Sequence, residues 1–231
     1  MTDLTIIYYT ANHISDYFMA NTQKQLLKAI GDTPIISVSQ KPIDFGDNIC
    51  VGNIGRSTYN IYKQILIGAR EVKTEYVATA EDDVLYSKEH FDYRPAQDIF
   101  AYDVNKWSLY TWDPSHFSYR NRRTMTSLIV TRDALVKTLE QRFTKYPDSN
   151  HYPIQRWCEP GRYDRDIHVD PVQNERYEST VPSIVFYTSE AMGFDYLGTR
   201  KRRGNVRAVE LSPWGTAPDI FKLYQPPKQE S

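Results

Sequence analysis

Thr74-Glu75-Tyr76-Val77-Ala78-Thr79-Ala80-Glu81-Asp82-Asp83-Val84-Leu85-Tyr86 reads as a short, fairly apolar strand that ends in three consecutive carboxylates. Three adjacent acids repel one another at neutral pH, so burying them unpaired is costly. A divalent cation offsets that repulsion and lets the acids share a site with a phosphate. In open α/β sheets, ligands sit beyond the carboxyl ends of strands. An acidic cluster there points to a metal–nucleotide site with oxygen ligands suited to Mg²⁺ or Mn²⁺. The competing reading is a solvated acidic turn, and the rest of the chain bears on the choice.

Upstream, residues 4–9 form an apolar, β-rich run, followed by the loop Thr10-Ala11-Asn12-His13. Ser15 and Asp16 open a helix whose Phe18, Leu26, Leu27 and Ile30 share one face and which stops at Gly31. Strands are expected at 34–39 and 49–51, and Ser57 caps a helix carrying Ile61, Ile65, Leu66 and Ala69. The acid-bearing strand follows. The order β-α-β-β-α-β predicts an α/β sheet with nucleotide-sized crevices. Downstream, strands are expected at 99–102, 109–112 and 128–130, and a helix over about 132–143. From Pro147 to Val172 periodicity fades; Ile184 to Tyr187 is one more strand, and the tail from Pro213 holds Trp214 and Pro218, then Pro226-Pro227, and ends as an extended arm. No repeat or linker divides the chain, so one domain with an irregular C-terminal third is expected.

The chain has 231 residues, enough for a proper core, and its 40% hydrophobic and 25% charged residues argue against disorder. A formal net charge of −1 favours no class of partner globally. Arg120-Asn121-Arg122-Arg123 and Arg200-Lys201-Arg202-Arg203 are nonetheless compact basic clusters. The 18 tyrosines, against 9 Phe and 4 Trp, supply rings with polar edges suited to sugars or bases as well as to packing. Cys50 and Cys158 give neither a metal-ligand spacing nor a disulfide framework. Without a secretory h-region or an apolar run near the ~18 residues that span a bilayer, a soluble, cytoplasmic protein is expected.

Ile6-Ile7-Tyr8-Tyr9-Thr10-Ala11-Asn12, Ser37-Val38-Ser39-Gln40-Lys41-Pro42 and Tyr76-Val77-Ala78-Thr79-Ala80-Glu81-Asp82-Asp83 are laid out, in this order, as in a known family. The chain resembles the nucleotide-sugar-dependent glycosyltransferases of the GT-A fold, with Glu81-Asp82-Asp83 standing for the family's Asp-x-Asp. The resemblance covers roughly residues 1–145, as a nucleotide- and metal-binding part, and leaves 146–231 as an acceptor and lid part. It implies a GT-A-like, mixed, mainly parallel sheet flanked by helices. It also implies transfer of a sugar from a nucleoside-diphosphate sugar, commonly a uridine diphosphate sugar, with Mn²⁺ or Mg²⁺.

By that resemblance Asp83 ligates the metal, and Glu81 binds the metal or the ribose. Thr10 and Asn12 hold base or ribose, Gln40 and Lys41 close the nucleotide pocket, and Arg56 or Lys63 reaches a base edge or phosphate. Arg200 and Lys201 sit where a C-terminal loop folds over the diphosphate, stabilising the leaving group and excluding water. An inverting enzyme also needs a general base. Glu159 is the first candidate, Asp113 the second, with Asp164 and Asp166 behind them. The family's further metal ligand, usually His, is missing at its expected place, where Glu190 stands; His168 is another candidate.

Other readings are weaker. Residues 10–16 contain no Gly, which tells against a nucleotidyltransferase phosphate loop. The remaining acids form no nuclease or phosphatase motif. A non-enzymatic nucleic-acid binder would use the two basic clusters, but its net charge is usually more positive. The ideas merge in a glycosyltransferase with an anionic acceptor, such as a lipid-linked phosphate or glycan, or DNA bearing a hydroxymethylated base.

Overall fold

A computed structural model describes residues 2–119, 121–148, 159–188 and 204–225. Strand β1 (Leu4–Thr10) is buried at every position, as is β2 (Ile35–Ser39). Such continuous burial means layers on both faces. β3 (Asp47–Cys50) and β4 (Tyr76–Glu81) join them in a seven-stranded sheet, completed by β6 (Phe100–Asp103), β9 (Leu128–Thr131) and β10 (Asn174–Tyr177). The order is β10-β6-β9-β4-β1-β2-β3, and among the described residues β9 alone runs against its neighbours. The fold is a mixed, mainly parallel α/β sheet flanked by helices.

The two-residue period of β1 decides the layers. Ile7 and Tyr9 face α2 (Thr58–Glu71) and α3 (Arg132–Lys145), where Ile65, Leu66, Leu135 and Leu139 complete one core. Ile6 and Tyr8 face the other way, toward Leu26 and Ile30 of α1 (Asp16–Ile30). Both N-terminal helices begin as the sequence predicts: Ser15 accepts from the Phe18 N–H and Ser57 from the Asn60 N–H. α1 ends at Gly31, whose φ of 57° suits a residue without a Cβ. α2 lies tightly on the sheet at Gly68, where a Cβ would come within 2.8 Å of Ile7 Cγ2.

A second sheet, β12-β8-β7-β11-β5, crosses the end of the first. It contains β5 (Val84–Leu85), β7 (Lys106–Tyr110), β8 (Asp113–Tyr119), β11 (Ser183–Tyr187) and β12 (Arg207–Ala208). Phe18 of α1 packs into its core with Leu109, Phe117, Ile184 and Phe186. The remaining short pair is β13 (Glu210–Leu211) with β14 (Gly215–Thr216).

Four expectations need correction. Leu27 is 49% exposed and does not join the buried face of α1. The strand expected at 109–112 is β7, which starts earlier at Lys106, ends at Tyr110 and turns into β8 at Asp113. β10 was not anticipated, because the edge segment Asn-Glu-Arg-Tyr has no apolar alternation. The tail carries a helix ahead of its expected extended end. Thr216 caps a helix, α4 (Ala217–Phe221), and Pro218 falls in its first turn, where a missing N–H is harmless. Ala217 and Ile220 are buried in the second core, and the Tyr224 ring meets Phe18 edge-on at 5.0 Å. Pro226 and Pro227 lie outside the described residues. Among the described residues, no helix is long and apolar enough to cross a membrane.

Candidate functional site

The strand order reverses between β1 and β4: β2 and β3 lie on one side of β1, and β4 and β9 on the other. Ligands of open α/β sheets gather at such a reversal, outside the carboxyl ends of the strands. A cleft of about 220 Å³ lies there. Tyr9 and Thr10 of β1, Gln40 beyond β2, the start of α2 and the three acids after β4 line one part of it. Lys106 and Ser108 of β7, Val185 and Tyr187 of β11, and the segment 122–126 line the other.

Hydrogen bonds fix the end of the cleft where β1, β2 and α2 meet. Gln64 of α2 donates both protons of its amide nitrogen, to Thr10 O at 2.9 Å and Val38 O at 2.8 Å, and so ties β1, β2 and α2 together. Gln40 Nε2 donates to Gly55 O, and its oxygen accepts the Ile54 N–H. Asn60 Nδ2 donates to Gly55 O at 3.0 Å, so the loop ahead of α2 is held from two sides. Arg56 and the cap residue Ser57 then face the cleft. The N-terminal end of a helix favours anions.

The acids differ from one another. Glu81 is half-buried and accepts from Tyr9 Oη at 2.5 Å and from Thr126 Oγ1 at 2.9 Å. Burial and the Glu81 charge hold the Tyr9 phenol well above its usual pKa, which keeps it a donor. Asp82 points inward. It is 6% exposed and accepts from Thr10 Oγ1 at 2.5 Å. Burial pushes its pKa up to about 7; the Thr10 bond opposes this, and the Glu81 charge adds to it. Asp83 lines the cleft, and its carbonyl accepts the Phe186 N–H at 2.9 Å, which links the acid turn to β11.

The sequence-derived site residues separate into groups. Thr10, Gln40, Arg56, Glu81 and Asp83 come together at the cleft. Thr10 does so with its hydroxyl engaged twice, donating to Asp82 and accepting the Asn12 N–H at 2.8 Å. Asn12 and Lys41 do not line the cleft. Asn12, at φ 52°, accepts the N–H groups of Gln40 and Lys41 and clamps the end of β2 onto β1. Lys63 is on the exposed face of α2, away from the cleft lining. Asp113 opens β8, accepts from Ser115 and also lies outside the lining. Glu159 pairs with Arg162 at 3.6 Å, likewise outside it. Asp164 is buried, bridged to Arg142 at 2.6 Å, and holds the 161–172 loop through two backbone N–H groups. Asp166 and His168 are exposed. Glu190, Arg200 and Lys201 lie outside the described residues, with the whole second basic cluster. Of the first cluster, Arg122 reaches the cleft and Arg123 bonds Asn174, while Arg120 lies outside the described residues.

Sequence reading missed Lys106, Tyr9, Thr126, Asn60 and Gln64 as members of the site. Lys106 left a signal, a single cation heading an apolar strand. Tyr9, Thr126 and Gln64 left none, because their roles come from partners distant in sequence.

A metal fits these residues only in one way. Among the described residues, no group of three His, Cys, Asp or Glu converges. Glu81 and Asp83 provide oxygen donors, while the buried Asp82 carboxylate is already engaged by Thr10. Mg²⁺ characteristically uses one or two carboxylates and completes its shell with substrate phosphates and water. The donor set suits that mode and not a cage made by the protein alone.

No family model and no curated protein matches the chain. Solved structures do. The bifunctional IspDF from Campylobacter jejuni overlaps with 14% identity, 77% of this chain, 50% of its own and a TM-score of 0.44. The apo-form glycosyltransferase GlyE of Streptococcus pneumoniae TIGR4 overlaps with 12% identity, 74% of this chain, 44% of its own and a TM-score of 0.45. A glycosyltransferase involved in glycosylation of the major capsid of PBCV-1 overlaps with 8% identity, 79% of this chain, 91% of its own and a TM-score of 0.48. The chain thus spans about half the length of the first two. None of the three is close enough to carry an argument about what this chain does.

Proposed function

We propose that this cleft binds a nucleoside-diphosphate sugar together with Mn²⁺ or Mg²⁺ and transfers the sugar to a hydroxyl acceptor. One observation carries the reading. At the strand-order reversal, the carboxylates of Glu81, which ends β4, and Asp83, just beyond it, face the same cleft as Arg56 and the capped start of α2. Carboxylates alone would repel a diphosphate. Carboxylates, a cation and a helix start in one cleft suit a diphosphate that brings a divalent ion with it.

The bound ion supplies charge stabilisation for the departing nucleoside diphosphate. The chain's own groups do the rest. Gln64, Gln40 and Asn60 hold the nucleotide end rigid, so little order is lost when the donor enters. Tyr9 and Thr126 orient the Glu81 carboxylate. Arg56 adds positive charge near the diphosphate. Uridine is the expected base, by family frequency. The described carboxylates lining the cleft are Glu81, Asp82 and Asp83, so a base from Glu159 or Asp113 would have to approach from outside the lining.

The test is turnover. Nucleoside-diphosphate sugars are incubated with the protein, with Mn²⁺ or Mg²⁺ and with a panel of hydroxyl acceptors, and release of the nucleoside diphosphate is followed. The reading expects release from at least one donor, dependent on the metal and lost in Asp83→Asn with the fold intact. Equal release by Asp83→Asn would remove Asp83 from the site. No release from any donor, in either metal, would remove the proposed reaction.

A further inference from the structure

Lys106 is a buried cation on the wall of the cleft opposite α2, only 5% exposed. Its ammonium donates to Thr124 Oγ1 at 2.5 Å and Ser127 Oγ at 2.6 Å. An ammonium has three protons to give, and no third acceptor among the described residues takes one. No described carboxylate lies within ion-pair distance either. Asp103, Glu159 and Glu81 reach it only through their fields. Burial pulls its pKa down to about 8, against those fields, so it stays largely cationic at neutral pH. Buried charges are normally paired. A buried ammonium that is aimed by two hydroxyls, lines a cleft and lacks a contacting anion needs a partner from outside.

The same short turn also serves the acids. Thr124 and Ser127 aim Lys106, and Thr126, between them, orients Glu81. The cation therefore stands at a fixed place beside the acid cluster. Ser108 shares its face of β7, and Arg122 lines the same part of the cleft.

We propose that Lys106 receives a carboxylate or phosphate carried by a sugar, so that either the transferred sugar or the acceptor is itself anionic. The ligand's name rests on the nucleotide-sugar reading above; the anion site does not. A purely structural role, bracing the 124–127 turn, is the alternative that the test separates.

Thermal shift and calorimetry compare the wild type, Lys106→Met and Thr124→Val, at matched ionic strength. Free probes are D-glucuronate, D-glucose 6-phosphate and D-glucose; nucleotide-linked probes are UDP-glucuronate, UDP-glucose and UDP with Mn²⁺. The proposal expects at least one anionic probe to bind the wild type and to lose more than about tenfold in Lys106→Met. Its neutral counterpart should be unaffected, and Thr124→Val should lose less. A selective loss for UDP-glucuronate places the charge on the transferred sugar, and a selective loss for a free anionic sugar places it on the acceptor. Should Lys106→Met fail to fold, Thr124→Val carries the comparison. Charged and neutral probes responding alike, or none responding, overturns the proposal. So does an equal loss for UDP alone, which would put Lys106 on the diphosphate. If UDP never binds while an anionic sugar shows the Lys106 dependence, the donor reading falls and the anion site stands.

Discussion

Asp82 and Asp103 are both buried, one under the cleft and one behind its far wall, yet their surroundings push them in opposite directions. Burial raises the Asp103 pKa, but the His90 ring at 2.9 Å and the N–H groups of Asn105 and Ser179 outweigh it. The result lies below the usual carboxylate range. Asp82 has burial, a single hydroxyl from Thr10 and the neighbouring Glu81 charge, and rises to about 7. Burial alone therefore does not set the outcome; the number of donors does. Asp103 is part of what holds the fold together, whereas Asp82 is held beside the cleft at a cost in stability. Such costs are characteristic of functional sites.

The largest expected effect is on the Asp103 side. Asp103→Ala leaves His90 and two backbone N–H groups buried without their acceptor, and should lose about 3–5 kcal/mol in urea unfolding. Because the folded pKa of Asp103 lies below its unfolded value of 3.8, its contribution is present above about pH 4. It is lost as the pH falls through the depressed folded value. A loss under 1 kcal/mol would break the contrast with Asp82.

Lys106→Met should act in the opposite sense, gaining on the order of 1–3 kcal/mol at pH 7, because the lysine's desolvation is relieved. The folded lysine titrates at about 8 and the unfolded one at 10.5. Between those values the unfolded chain binds more protons, so wild-type stability rises with pH and the advantage of Met shrinks. An advantage that grew across that window would contradict this account.

Asp82→Asn should have the smallest effect, a gain of about 1–2 kcal/mol at pH 7 in the metal-free protein. The amide oxygen can still accept from Thr10. The folded acid keeps its proton from its unfolded value of 3.8 up to about 7, so this group makes wild-type stability fall as pH rises through that range. The variant should lack that slope, and an unchanged slope would show that Asp82 is ionised in the folded protein.

Sequence reading went well wherever the signal was local. The buried runs of β1 and β2, the caps Ser15 and Ser57, the stop at Gly31 and the acids ending β4 all carry their cause within a few residues. What was not legible has a distant cause. The Asn12 clamp on β2 is not legible in the sequence, because its partners are 28 and 29 residues away. Asp113 and Glu159 had suitable chemistry but sit outside the cleft lining, which sequence order cannot reveal. Lys106 lies ahead of the strand expected at 109–112, and its partners Thr124 and Ser127 are 18 and 21 residues away. The prolines of the tail hide a helix, which the Thr216 cap starts and whose first turn takes Pro218 without loss.

The central claim is that the cleft at the β1–β4 reversal takes a nucleoside diphosphate together with a divalent ion. The most direct measurement is thermal unfolding with each nucleoside diphosphate, with and without Mn²⁺, in the wild type and Asp83→Asn. A ligand that binds the folded state raises the unfolding temperature by mass action. The account predicts a rise that needs both one nucleotide and the metal and disappears in Asp83→Asn. A rise that ignores the metal, or one that survives the substitution, would contradict it.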